Sequence, residues 1–288
     1  MFDAMLFPTD GSDGADAALD FVLDVAAAHG STVHVVSVAD TSRSAVEQQS
    51  DVVGVLEDNA RRVVKAAARR ARDRGVAVET AVERGDPHRV VCDYAVSAGV
   101  DVVVMPTRGR RGLERFLLGS TTERVVRRSD VPVLTVQPDD GADYPFETVL
   151  VATDGSGCAD AAAERGVAVA DAEDAALHLV SVVDMASLGA DMRSDVAVSS
   201  LEERAEAVLD ECAADASDAG VEPAATEVVF GTSIHRAILQ YVEDNDVDLL
   251  VVGTHGRTGF DRYVLGSVAE YLVRTSPVPV LTVRAPED

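Results

Sequence analysis

Residues 248–267 read DLLVVGTHGRTGFDRYVLGS. An apolar, branched run from Asp248 to Val252 breaks at Gly253. Gly256 follows and Gly266-Ser267 closes the stretch, giving the spacing G-x2-G-x9-G-S. A buried strand that runs into a glycine-rich loop and then a helix start is the local plan of a phosphate-binding device. Glycine lets a ligand approach the backbone closely, and a helix N-terminus offers free N–H groups and positive potential. Residues 105–120, MPTRGRRGLERFLLGS, repeat the plan. Gly109, Gly119 and Ser120 stand in register with Gly256, Gly266 and Ser267, but Pro106 stands where Gly253 stands.

The repetition extends to the whole chain. Thr9-Asp10-Gly11-Ser12 recurs as Thr153-Asp154-Gly155-Ser156, 144 positions on, and VPVLTV at 131–136 recurs at 278–283. A period of half the chain means two copies of one domain rather than a solenoid. The Pro/Gly/Asp-rich segment 137–145 reads as the linker, which gives expected domains 1–140 and 145–288. Each is of ordinary size for a single core.

Within a copy, short β-branched runs alternate with amphipathic stretches. In the first, strands are expected at Ala4–Pro8, Thr32–Val38, Val76–Val82, Asp101–Met105 and Val131–Val136, with helices at 15–28, 46–74, 87–98 and 121–128. The second copy follows the same order. Five strands alternating with four helices predict an α/β fold, a parallel sheet covered on both faces. Ligands of such sheets bind beyond the carboxyl ends of the strands. Asp10 and Asp154 follow strand one, Val38 and Val182 close strand two, and the glycine loops follow strand four. Ser120-x-x-Glu123 and Ser267-x-x-Glu270 also read as capping boxes, a structural explanation for the serine and the glutamate alone.

Taken together, T-D-G-S, G-x2-G-x9-G-S and V-P-V-L-T-V resemble the universal stress protein family, as a tandem of two family domains. The resemblance implies Rossmann-like (adenine nucleotide alpha hydrolase-like) domains, each a five-stranded parallel sheet of order 3-2-1-4-5. It further implies ATP or another adenine nucleotide as ligand in one branch of the family, with magnesium as a candidate bridge between phosphates. Asp154 and the backbone at Val182 would hold the adenosine. Gly253, Gly256, Gly266, Ser267 and the Val268 N–H would cradle ribose and phosphates. The first copy offers Asp10, Val38, Gly109, Gly119, Ser120 and Thr121, and departs from the pattern at Pro106, which removes a donor and adds a ring. Arg108, Arg110 and Arg111 could partly compensate by pairing phosphates. The second site is therefore expected to be the stronger. The family also pairs through its last strand, which implies an internal pseudo-dimer and leaves pairing with a second chain open.

A P-loop is absent from the sequence, and no G-x-G-x-x-G follows either first strand, so a P-loop ATPase and a dinucleotide dehydrogenase are disfavoured. His255 lies inside the glycine loop but lacks an evident partner as a general base; His88 and His235 read as surface or capping residues. The expected role is a stress-linked sensor or regulator that does not catalyse. A slow ATP hydrolase and a nucleotide-independent scaffold for an unknown protein partner are the rivals.

Fifty acidic residues against 25 basic give a net charge of −25, and Lys65 is the only lysine. Such a surface disfavours nucleic acid, no run is long enough to span a bilayer, and the N-terminal stretch is unlike a signal sequence, so a cytoplasmic location is expected. Three scattered cysteines, Cys92, Cys158 and Cys212, argue against disulfides and a zinc site. The charge is uneven: residues 1–144 hold 17 basic and 23 acidic groups, residues 145–288 hold 8 and 27. Most of the difference lies in one helix of each half. Arg61, Arg62, Lys65, Arg69, Arg70, Arg72 and Arg74 stand against Glu202, Glu203, Glu206, Asp210, Glu211, Asp215 and Asp218. These read as two solvated faces or, for the basic one, as a docking surface for an anionic partner. The composition resembles that of proteins from salt-loving microbes, where salt screens self-repulsion. Thermal unfolding followed across a potassium chloride series should show a midpoint that climbs with salt; a flat profile would contradict this reading.

Overall fold

The computed structural model describes residues 2–42, 50–107, 118–137, 144–186, 195–256 and 265–285. Its contacts divide the chain into two units, Met1–Tyr144 and Pro145–Asp288. The first runs β1 (Ala4–Pro8), α1 (Asp13–His29), β2 (Thr32–Asp40), α2 (Ser50–Asp73), β3 (Ala77–Gly85), α3 (Pro87–Ala98), β4 (Val102–Pro106), α4 (Ser120–Arg128) and β5 (Val133–Val136). The second runs β6 (Thr148–Ala152), α5 (Gly157–Glu173), β7 (Ala176–Asp184), α6 (Asp195–Asp218), β8 (Ala225–Gly231), α7 (Ile234–Asp244), β9 (Leu249–Gly253), α8 (Ser267–Thr275) and β10 (Val280–Val283).

Both sheets are wholly parallel. The first has the order β3-β2-β1-β4-β5 and the second β8-β7-β6-β9-β10, which is 3-2-1-4-5 in each. The central strands carry the core because helices cover both their faces. Met5, Leu6, Phe7 and Val102 to Val104 are fully buried, as are Val149 to Val151 and Leu250-Val251. The edge strands β3 and β8 alternate between half-buried and exposed positions. Helix α1 packs on α2 and α3 on α4, one pair on each face. The long helices bury narrow stripes of small residues, Ala60, Val64, Ala67 and Ala71 in α2 and Ala205, Leu209, Cys212 and Ala216 in α6. Among the described residues no helix is long and apolar enough to cross a membrane.

The two central ladders differ at the end that faces the glycine loop. In the second unit β6 and β9 pair from Val149↔Leu249 to Ala152↔Val252. In the first unit β1 and β4 pair only at Met5↔Val102 and Leu6↔Val103. Prolines account for the loss. The Thr153 N–H points away, to Val180 O at 2.9 Å, so the last two pairs of the second unit depend on the N–H groups of Ala152 and Gly253. Pro8 and Pro106 occupy those positions in the first unit, and neither has an N–H to give. The tails of β1 and β4 are therefore unlaced where the tails of β6 and β9 are laced.

Six of the seven cations of the basic stripe of α2 are exposed, and part of the stripe is paired within its own unit. Arg70 and Arg74 pair with Asp16, Asp20 and Asp24 of α1 at 2.7–3.4 Å. Arg61 pairs with Glu57 and Asp58, and Arg69 with Asp73. Part of that charge is thus met by neighbouring carboxylates, while the stripe remains a solvated face. Of the two histidines at matching helix starts, one is buried and the other half-buried. His88 is buried, with Nδ1 against the Asp86 carboxylate, and His235 stacks on Tyr271 with ring centroids 3.8 Å apart.

Candidate functional site

The turn after the first strand has the same internal bonding in both units. Thr9 Oγ1 accepts from the Gly11 N–H at 3.2 Å, and Asp10 Oδ1 accepts from the Ser12 N–H at 3.0 Å. Thr153 and Asp154 do the same for Gly155 and Ser156, at the same distances. Gly11 and Gly155 take φ of 71° and 70°, which explains the glycine, and the carboxylate closes an Asx turn into the following helix. One oxygen of each aspartate is thus occupied in shaping the backbone. The other oxygen of Asp154 lies against the glycine loop: a Cβ on Gly256 would fall 2.6 Å from Asp154 Oδ2.

Ser12 and Ser156 diverge in role despite their identical context. Ser12 Oγ accepts from the Ala15 N–H at 3.3 Å and caps α1. Ser156 Oγ instead donates to the His255 carbonyl at 3.3 Å, and α5 starts without a side-chain cap. The second unit therefore fastens the start of its glycine loop to the turn through Ser156 and seats Gly256 on Asp154.

Gly253 has a reason that local spacing does not show. A Cβ there would lie 2.7 Å from Cys158 C, 2.8 Å from Cys158 O and 2.9 Å from Ala159 N. Its missing side chain makes room for the first turn of α5. Pro106 carries ring carbons at the corresponding point, so the first turn of α1 cannot approach its strand as α5 does. Packing against the first turn of α5 is thus a reason for glycine at this position that stands beside the expected approach of a ligand. The Cys158 thiol lies in the same corner, with Sγ accepting from the Ala285 N–H at 3.4 Å.

The start of the last helix departs from expectation in a useful way. The N-caps are Gly119 and Gly266; Ser120 and Ser267 are the first helical residues, and neither helix has a side-chain cap bond. Neither serine caps its helix as the capping-box reading expects. Glu123 instead pairs with Arg127 at 2.8 Å and Glu270 with Arg274 at 3.8 Å. Each glycine is tied to the end of strand four, Gly119 N–H to Thr107 O at 2.8 Å and Gly266 N–H to Thr254 O at 2.9 Å. Those N–H groups are spent. Among the described residues no acceptor meets the N–H groups of Ser120, Thr121 and Thr122, or of Ser267, Val268 and Ala269. Three orphan donors at the positive end of a helix dipole form an anion seat.

The remaining described residues of the expected set lie at or near the carboxyl ends of their strands. Val38 and Val182 are half-buried near the carboxyl ends of otherwise buried strands, two residues beyond Val36 and Val180, whose carbonyls accept from Thr9 and Thr153. Asp10 and Asp154 are half-buried. In the second unit hydrogen bonds and close contacts join Asp154, Ser156, Thr254, His255, Gly256 and Gly266 into one cluster. In the first, Thr122 Oγ1 donates to Pro106 O at 2.9 Å and ties α4 to its strand. Gly109, Arg108, Arg110, Arg111 and Arg115, and Arg257 and Arg262, lie outside the described residues. Pro8, Ser156 and Cys158 were missed by sequence reasoning. Pro8 stood in plain view opposite Ala152 in the aligned copies, whereas the partners of the other two come from distant segments.

The model of the universal stress protein family matches residues 1–137 and 145–284. A universal stress protein of Mycolicibacterium smegmatis is 29% identical over 301 residues, covering 97% of this chain and 96% of that protein. One from Mycobacterium tuberculosis is 30% identical over 295 residues, covering 96% and 95%. The crystal structure of a universal stress protein from Archaeoglobus fulgidus superposes with a TM-score of 0.76 at 25% identity, covering 99% of this chain and all of that one.

If packing rather than a ligand demands Gly253, Gly253→Ala should destabilise the second unit by about 1–3 kcal/mol without nucleotide, as overpacking generally does. Urea unfolding would show it; an unchanged midpoint would return the glycine to a ligand role.

Proposed function

The chain belongs to the universal stress protein family, and from that premise we propose that it binds an adenine nucleotide, with the second unit the stronger site. The observation that carries the proposal is the glycine-capped start of α8. Three N–H groups there meet no acceptor among the described residues, beside a loop drawn onto the Asp154 turn. A negatively charged phosphate supplies the acceptors that the missing cap does not. On this reading Ser267, Val268 and Ala269 hold phosphate through their backbone. Gly266 and Gly256 shape the loop, and Asp154 with the backbone at Val182 receives the adenosine. Gly253 contributes indirectly, by letting α5 close on the strand.

The first unit has the same kind of helix start, at Ser120, Thr121 and Thr122. Its β1 and β4 tails are unlaced beside it by Pro8 and Pro106, so its crevice is bounded by looser walls. A less rigid frame forfeits more entropy when it orders around a ligand, which supports the weaker affinity. Magnesium would arrive with the phosphates and keep most of its ligands as phosphate oxygen and water. We take the role to be regulatory: nucleotide occupancy would report to a partner, and His255, held by Thr254 Oγ1 at 3.0 Å, serves the loop's geometry.

Proline substitution at the first helical position tests this directly. Proline is tolerated there, and Gly266 already has the extended backbone, φ −60° and ψ 141°, that a following proline requires. Ser267→Pro should weaken ATP binding about tenfold or more in calorimetry, the effect of losing one charge-assisted bond. Ser267→Ala isolates the hydroxyl, and Ser120→Pro should have the smaller effect on total binding. Equal losses would sink the asymmetry. No binding by the parent chain would sink the nucleotide reading and leave the scaffold.

A further inference from the structure

The helix pairs on one face of each sheet carry opposite electrostatics at matched positions. In the first unit Arg70 of α2 reaches Asp16 and Asp20 of α1 at 3.4 and 2.7 Å, and Arg74 reaches Asp20 and Asp24, both at 2.8 Å. The same guanidinium groups donate to the carbonyl oxygens of Asp16 at 3.0 Å and Asp20 at 3.1 Å. Two arginines therefore staple α2 to α1.

The register between the units can be followed residue by residue. Buried Ala60, Val64, Ala67 and Ala71 correspond to Ala205, Leu209, Cys212 and Ala216, 145 positions on, and the first helix to α5, 144 positions on. Asp16 thus becomes Asp160, Asp20 becomes Glu164, and Arg70 becomes Asp215. The stapling cation has been replaced by a carboxylate. Asp160 now has Glu211 and Asp215 of α6 across from it, Glu164 on its own helix and Asp154 at the turn below. Burial and these four carboxylates push its acid upward. Cys212, buried among the same groups, is pushed up to about 11 by burial first and by Asp215, Asp160 and Glu211 next, so it remains a neutral thiol. Among the described residues no arginine or lysine lies within ion-pair distance of Asp160, Glu164, Glu211 or Asp215.

We propose that ionic strength sets how firmly α5 seats against α6 in the second unit, and through α5 the nucleotide affinity of that crevice. The first unit, held by attraction, responds in the opposite sense. Screening weakens repulsion and attraction alike, so salt favours the carboxylate-lined contact and disfavours the stapled one. The route to the crevice is short. Helix α5 begins at the Asp154 turn, and its first residues, Cys158 and Ala159, abut Gly253 so closely that no Cβ fits between. A loosened α5 releases both the strand tail and the turn. The affinity claim rests on the nucleotide reading above; the helix claim stands without it.

Hydrogen exchange of the full chain, without nucleotide, reads the helices separately. Between about 0.1 and 1 M potassium chloride the screening length falls from roughly 10 to 3 Å. Protection in residues 157–173 and 195–218 should rise severalfold across that range, while protection in 13–29 and 50–73 holds or falls. Asp215→Arg restores a cation at the position matching Arg70 and should flatten the rise; Arg70→Asp should create one in the first unit. A flat or falling profile for α5 and α6, or a rise that survives Asp215→Arg, overturns the proposal. Titration with magnesium ATP along the same series separates the two claims. Affinity that grows with salt supports the coupling, and affinity that is constant or falls overturns it. Absence of binding at every salt concentration overturns the nucleotide reading, and the exchange profiles still decide the helix contact.

Discussion

The hydrogen bond from the Gly266 N–H to the Thr254 carbonyl, 2.9 Å long and matched by Gly119 and Thr107 at 2.8 Å, fixes where the last helix may begin. It brings the two ends of the glycine loop together at the end of strand four. With that donor used and a glycine at the cap, the next three N–H groups meet no acceptor among the described residues. In the proposed site the strand tails, the Asx turn of T-D-G-S and the glycine-capped helix end are the parts that would meet the ligand.

Much of the fold is legible in the sequence because its signals are local. Periodicity marks strands and helices, glycine marks helix ends such as Gly30 and Gly99, and the repeats of T-D-G-S and V-P-V-L-T-V mark the duplication. The candidate site is legible in outline, as Asp154, Gly256, Gly266 and Ser267, because these residues punctuate strand ends. Their individual reasons are not. S-x-x-E is a cap in most settings, and only the tether of Gly266 to a carbonyl twelve residues earlier moves the helix start back by one and takes the serine out of the capping position. Gly253 invites a ligand explanation alone, and only the fold adds Cys158, 95 positions away in sequence, as a second reason for glycine.

The charge of the two halves has the same character. Counting shows that the second half is far more acidic, and a helical-wheel reading places the excess on one helix. It does not show that the basic helix of the first half is matched to Asp16, Asp20 and Asp24 of its neighbour. Nor does it show that the acidic helix of the second half faces further acid. Surface ion pairs contribute only about 0.2–1 kcal/mol each. Here their number and shared partners, rather than any single pair, distinguish the two units. Two copies of one backbone plan have thus been finished with opposite side-chain physics around nearly the same core.

The contact between Gly253 and the first turn of α5 also defines what can be exchanged between the halves. A strand tail ending in proline, grafted from the first unit onto the second, would drive its ring into the Cys158 carbonyl and lift the helix from the sheet. The reverse graft would restore one ladder donor and leave the space that Pro106 filled. Strand four of a unit and the opening turn of its first helix are thus one interchangeable module, although almost a hundred residues separate them along the chain. Any shuffling of these halves, by recombination or by design, has to move the two segments together.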